Sequence, residues 1–140
     1  MPFEIASSAI ATMTVAARDA CPDEACGLLL GCGTRVETAV RTANVAADPA
    51  RHFEIDPAAL IAAHKAARAG GPDVLGYFHT HPNGLARPSS TDAASAAHDG
   101  KVWAIAAPLS DGQRDKPWAI TCWHDGPNGF EALSYAVIAG

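Results

Sequence analysis

An α/β fold, with a single mixed β-sheet flanked by helices, follows from three features of the sequence. Short apolar runs bounded by Gly and Pro, at residues 25–31 and 74–78, have the length of strands buried on both faces. Stretches of helical spacing, each with its own start and stop residues, alternate with them. The length, 140 residues, suits one hydrophobic core, so residues 1–140 read as a single domain.

In chain order, residues 3–5 open as a short strand, and Ser7 or Ser8 offers an N-cap to a helix in which Ile10, Met13 and Ala17 fall at helical spacing. Pro22 ends that helix at Cys21, because proline disfavours helical geometry in the residue before it. The chain turns through Pro22-Asp23-Glu24 into the apolar run 25–31, and residues 31–34 form a hairpin. Residues 35–45 alternate, with Val36, Thr38, Val40 and Thr42 opposed to Arg35, Glu37, Ala39 and Arg41, the pattern of a neighbouring antiparallel strand. A loop at 46–52 and a brief strand at 53–55 lead to Asp56-Pro57, an N-cap followed by proline at the first helical position. This second helix carries Leu60, Ile61, His64 and Ala67 on one face, and Gly70-Gly71-Pro72 stops it. The strand at 74–78 then delivers the chain into His79-Thr80-His81-Pro82. After a turn rich in Pro, Asn and Gly, residues 89–98 have a capping-box pattern that starts a third helix. Residues 101–109, 117–124 and 130–138 read as three further strands.

Composition narrows the function classes. Apolar residues make up 49% of the chain and charged ones 18%, a globular balance. Alanine supplies 31 of the apolar residues, so helices and sheet are expected to meet through small side chains. A net charge of -5 with no basic cluster argues against a nucleic-acid partner. The most apolar stretch, residues 5–17, is interrupted by Ser7, Ser8, Thr12 and Thr14 and falls short of the about 20 residues a membrane span needs, so no membrane association is expected. Glu4 stands where a secretory leader would carry Lys or Arg, and Cys21, Cys26, Cys32 and Cys122 form no CxxC pair. The expectation is a cytoplasmic protein with buried free thiols.

The chemistry concentrates after the strand at 74–78. Side chains two apart on an extended segment point to the same face, so His79 and His81 can direct two imidazoles at one point. Neutral imidazole suits Zn²⁺, Fe²⁺ and Cu²⁺, and a catalytic zinc takes three protein ligands and keeps one position open. Asp92, eleven residues beyond His81 and across a Pro-bounded turn, is the natural third ligand. Taken singly, a histidine pair is also common on a solvated loop, Ser89-x-x-Asp92 is also an ordinary helix cap, and a Glu after Pro-Asp is usually solvated. His52, His64, His98 and His124 read as surface or helix-face residues, and Trp103, Trp118 and Trp123 as packing aromatics of the sheet.

Together, His79-Thr80-His81-Pro82 and Ser89-Ser90-Thr91-Asp92 resemble the JAMM (MPN-plus) metallopeptidase signature, HxHP followed by SxxD at the same gap. The segment Pro22-Asp23-Glu24-Ala25-Cys26-Gly27-Leu28-Leu29-Leu30-Gly31 is similar to that family's glutamate-bearing entrance to a glycine- and leucine-rich strand. The resemblance implies a small prokaryotic-type JAMM/MPN domain of cytidine-deaminase-like architecture. It implies one Zn²⁺ per chain held by His79, His81 and Asp92, with Glu24 as general acid/base for the attacking water and Ser89 as partner of the oxyanion. The implied activity is hydrolysis of a peptide or isopeptide bond after the C-terminal Gly-Gly tail of a ubiquitin-like or sulfur-carrier protein. An extended tail adding beside a sheet edge, with glycines where the groove narrows, is the expected binding mode. Two other classes stay open on the residues: a non-catalytic MPN-type binding scaffold, and a 2-His-1-carboxylate iron(II) oxygenase or cupin. Bound metal discriminates between all three. The sequence leaves the oligomeric state open.

Overall fold

The computed structural model describes residues 2–109 and 117–140. Along them run β1 (Phe3–Ala6), α1 (Ser7–Ala20), β2 (Cys26–Cys32), β3 (Arg35–Thr42), α2 (Pro57–Arg68), β4 (Asp73–Thr80), α3 (Ser90–Ser95), β5 (Val102–Pro108), β6 (Trp118–Gly126), β7 (Gly129–Leu133) and β8 (Tyr135–Ile138). The strands form one mixed sheet in the order β7-β6-β5-β4-β2-β3-β1-β8. β4 lies inside it, antiparallel to β2 and parallel to β5, with Cys26 opposite His79 and His79 opposite Ile105.

The run expected at 130–138 is two strands. β7 pairs with β6 and β8 pairs with β1, so the segments on either side of Ser134 belong to opposite ends of the strand order. The sheet therefore curls until its two edges are joined by that residue. The Tyr135 hydroxyl donates to the Ile120 carbonyl at 2.7 Å and ties the seam across to β6. Period-2 patterning cannot reveal such a switch, because alternation continues through it.

β3 corrects the expected alternation in another way. Val36 and Ala39 are buried while Val40 is 39% exposed. The β2–β3 pairing shifts register between Leu30 and Gly31, opposite Thr38 and Val36. A β-bulge leaves one residue unpaired and hands the inward face to the other parity, so Val36 and Val40 do not share a side. The brief strand expected at 53–55 is a single bridge, Ile55 to Asn44.

The first helix packs as its composition implies. Ala9, Met13, Ala16 and Ala17 are buried, and the first three join Phe3, Ile5, Leu29, Val36 and Phe78 in the core. Its N-cap is Ala6, without a side-chain cap, so Ser7 and Ser8 lie in the first turn. In α2 the Asp56 carboxylate accepts from the Ala58 amide at 3.0 Å, with Pro57 leading the helix as expected. None of its residues is buried, however, and Ile61 is 65% exposed rather than facing inward. α3 stops at Ser95, short of His98. Gly27 in β2 marks a close approach: a Cβ there would run into the Val40 carbonyl and the Phe78 ring. No helix among the described residues is long and apolar enough to cross a membrane.

Candidate metal centre

The site lies at the C-terminal end of β4, inside the sheet between antiparallel β2 and parallel β5, and the end of such strands is where ligands settle in α/β sheets. His79 is the last residue but one of β4 and is fully buried, and His81 follows just past the strand, 3% exposed. The alternation of the extended chain turns both rings the same way, and their Nε2 atoms stand 3.0 Å apart. Thr80 between them faces the other way. Its hydroxyl accepts from the Ala25 amide at 2.8 Å, and its own amide donates to the Ala25 carbonyl at 3.1 Å. The His-Thr-His segment is thereby fastened directly to the residue after Glu24.

Asp92 reaches the same point from α3. Ser89 and Asp92 form a reciprocal capping box, in which the Ser89 hydroxyl accepts from the Asp92 amide at 3.0 Å and the Asp92 carboxylate accepts from the Ser89 amide at 2.8 Å. That leaves Asp92 Oδ2 at 3.1 Å from both His79 Nε2 and His81 Nε2. Ser-x-x-Asp is therefore a helix cap, and the same cap aims the Asp92 carboxylate at the two imidazoles.

The donor set fits a divalent ion of the zinc type. His81 Nδ1 lies 2.8 Å from the Leu85 carbonyl, which can only accept, so Nδ1 carries the proton and Nε2 presents a bare lone pair. The three atoms form a triangle with 3.0–3.1 Å edges. Tetrahedral zinc with bonds near 2.0–2.1 Å puts neighbouring ligand atoms about 3.3 Å apart. His79 Nδ1 is buried without a hydrogen-bond partner among the described residues. Its ring is held instead by packing: Phe53 stacks on it at 4.2 Å and 15°, and Trp103 meets it edge-on at 5.7 Å.

Glu24 is 6% exposed, and its carboxylate, His79 and His81 offer ligand atoms within 4.8 Å of one another. Two carboxylates thus address one pair of imidazoles. Their environments differ in sign. Burial pushes the Glu24 carboxyl up to about 7, only partly opposed by His81. Burial acts the same way on Asp92, but hydrogen bonds from His79 and His81 and the Ser89 amide outweigh it and hold that carboxyl far below the usual range. Burial lowers the affinity of His79 for a proton, which favours the neutral ring that metal binding requires. For His81 burial is outweighed by Asp92, the Leu85 carbonyl and Glu24, and its affinity for a proton rises.

Glu24, His81 and Ser89 open onto a cavity of about 620 Å³ whose other walls include Ala50, Arg51, His52, Pro82 and Asn83. His52 thus lies beside the centre, although its side chain is exposed. The remaining histidines stay away from it, and Cys26 and Cys122 are buried thiols raised by burial, Cys122 to about 12. Cys32 is exposed, against the expectation of burial. Phe53, Asn44 and Thr80 were not legible as site residues. A lone aromatic in a polar loop, and a Thr flanked by two histidines, were the only signals.

The model of the family described as prokaryotic homologs of the JAB domain matches residues 6–123. The chain belongs to this prokaryotic JAB/MPN family. It is 37% identical over 89 residues to a desampylase of Haloferax volcanii, a match covering 62% of this chain and 64% of the relative. It is 37% identical over 75 residues to a probable TtuB-protein conjugate cleaving protease of Thermus thermophilus, covering 54% of this chain and 50% of the relative. The matched segments thus span less than two thirds of either relative's length. A solution structure from Desulfitobacterium hafniense superposes with a TM-score of 0.83 at 27% identity, over 99% of this chain and 94% of that one. The JAMM/MPN resemblance carried by the two motifs and the curled mixed sheet agree with these likenesses.

Proposed function

We propose that residues 1–140 form a single catalytic domain, a cytoplasmic zinc-dependent peptidase or isopeptidase that cleaves the amide bond after the C-terminal Gly-Gly tail of a ubiquitin-like or sulfur-carrier protein. The observation that carries this reading is the triangle of His79, His81 and Asp92 with the protonatable Glu24 beside it on the wall of an open cavity. The names of the two relatives, a desampylase and a conjugate-cleaving protease, support the substrate class.

His79, His81 and Asp92 would hold one zinc ion. Bound there, zinc supplies Lewis acidity, which polarises a scissile carbonyl and makes water a readier proton donor at neutral pH. Glu24 accepts the proton of the attacking water and passes it to the leaving amine nitrogen as the C–N bond breaks. A carboxyl whose affinity for protons is balanced near neutrality suits both halves of that transfer. The Ser89 oxygen already accepts from the Asp92 amide, so its own proton remains available to the carbonyl oxygen as charge develops on it. The path leaves no covalent acyl-enzyme. A purely docking scaffold would have no use for the full set of ligands and base.

The test is incubation of the purified protein with Gly-Gly-tailed carrier proteins, with and without a chelator, beside Glu24→Gln. Cleavage that chelation and E24Q both suppress is expected. Cleavage that survives both would overturn the assignment. Replacing the tail glycines by Val should slow turnover, and unchanged turnover would remove the narrow groove.

A further inference from the structure

Glu24 is gripped through both of its peptide groups by a loop that is distant in sequence. Its amide donates to the Pro49 carbonyl at 2.7 Å, and its carbonyl accepts from Asn44 Nδ2 at 2.9 Å. Asn44 ends β3's exit and begins the loop. Its second N–H donates to the His52 carbonyl at 3.0 Å, while its Oδ1 accepts from the amides of Ala46 at 3.1 Å and Glu54 at 3.0 Å. A primary amide has two donors and two acceptor lone pairs, and here all four are used. Three of them close the loop on itself, and the fourth reaches Glu24. The Val45 amide donating to the Glu54 carbonyl at 2.9 Å, and the bridge between Asn44 and Ile55, complete the closure.

From this arrangement we infer that Asn44 is a positioning residue for the general base: it fixes the loop at 44–54 and, through it, the backbone of Glu24. The inference rests on the catalytic role proposed above for Glu24. Only a side chain with both donors and acceptors can do this. Asp at position 44 would keep the two loop amides satisfied but would set a carboxylate against the Glu24 and His52 carbonyls. Ala would leave all four backbone partners unmet. The same loop contributes Ala50, Arg51 and His52 to the cavity wall, so part of the surface that a substrate meets and the base that activates the attacking water are held by one amide. Ala25, in contrast, is fastened independently through Thr80.

The discriminating experiment compares zinc-loaded wild type, Asn44→Ala and Asn44→Asp in kcat, KM and zinc content, with backbone amide exchange by NMR. A base displaced by about 1 Å lowers kcat by roughly 10- to 100-fold. Both variants should show that loss while retaining the wild-type zinc content. In the Glu24→Gln background the same Asn44 substitutions should cost less than about twofold, since positioning is lost only once. The Glu24 amide should exchange faster in both variants, and the Ala25 amide should not. Asn44→Asp is the check if Asn44→Ala does not fold. Full kcat in a folded variant, additive losses in the double mutant, or unchanged exchange at Glu24 would each overturn the inference. The exchange measurement needs no substrate, so it still decides Asn44's hold on Glu24 should no Gly-Gly tail be cleaved.

Discussion

Glu24 and Asp92 face the same two imidazoles, yet the chain secures them in opposite ways. Asp92 is fixed locally, by a capping box that closes within four residues and by direct contacts of 3.1 Å to each histidine. Glu24 is fixed from afar, by Asn44 and Pro49, twenty and twenty-five residues along the chain. The electrostatics follow the support. Asp92 gains hydrogen bonds that offset its burial and stays ionised, whereas burial dominates at Glu24 and raises its proton affinity to about 7. Two carboxylates pushed apart in this way suit the division of labour proposed above, with Asp92 as ligand and Glu24 as acid/base. Proximity alone would not separate them, since Glu24 lies within 4.8 Å of both imidazoles. The direct 3.1 Å edges support the proposed choice of Asp92 over Glu24 as the third ligand.

Asp92→Asn should abolish tail hydrolysis, because the anionic ligand is lost; residual turnover near the wild-type rate would remove Asp92 from the centre. Glu24→Gln should lower kcat by about 10²- to 10⁴-fold, the range of general acid/base catalysis, with the fold intact by circular dichroism. Ser89→Ala should lower kcat by about 10²- to 10³-fold through loss of the oxyanion donor. It should also lower stability by about 1 kcal/mol through loss of the cap on α3, seen as a lower denaturation midpoint.

How far each carboxylate could be anticipated from sequence follows the same division. The Asp92 segment is legible because its geometry is local: Ser-x-x-Asp describes a cap, and HxH describes a shared strand face. Glu24 stood out only through the family pattern, because nothing within several residues of it explains its burial. Asn44, which holds it, has no neighbouring signal at all. The fold divides likewise. Strand runs, the Asp56-Pro57 helix start and the Gly27-bearing β2 are local and were readable. The bulge at Glu37, the edge switch at Ser134 and the outward Ile61 depend on partners far along the chain. The stacking of Phe53 on His79 has the same origin, since a loop aromatic has no periodicity to betray its target.

The smallest effect concerns stability. In metal-free protein the folded-state affinity of Glu24 for a proton, near 7, exceeds its ordinary value of 4.5. Below about pH 4.5 the carboxyl is protonated folded or unfolded and costs nothing. Between about pH 4.5 and 7 the unfolded chain releases this proton while the folded state keeps it, so stability falls across that window and levels off above 7, where the folded state holds a poorly solvated charge, at a total cost of at most about 3 kcal/mol. Glu24→Gln in metal-free protein should therefore be more stable than wild type at pH 8 by about 1–3 kcal/mol, with the advantage gone by pH 4.5. Denaturant unfolding at the two pH values checks this, and a pH-independent difference would contradict it.

The assignment of ligand and base is tested most directly by elemental analysis of zinc in wild type, Asp92→Asn and Glu24→Gln, each purified and dialysed identically. Near one equivalent in wild type and in E24Q, with little in D92N, is the result expected. Loss of zinc from E24Q with retention in D92N would exchange the two roles and contradict the account.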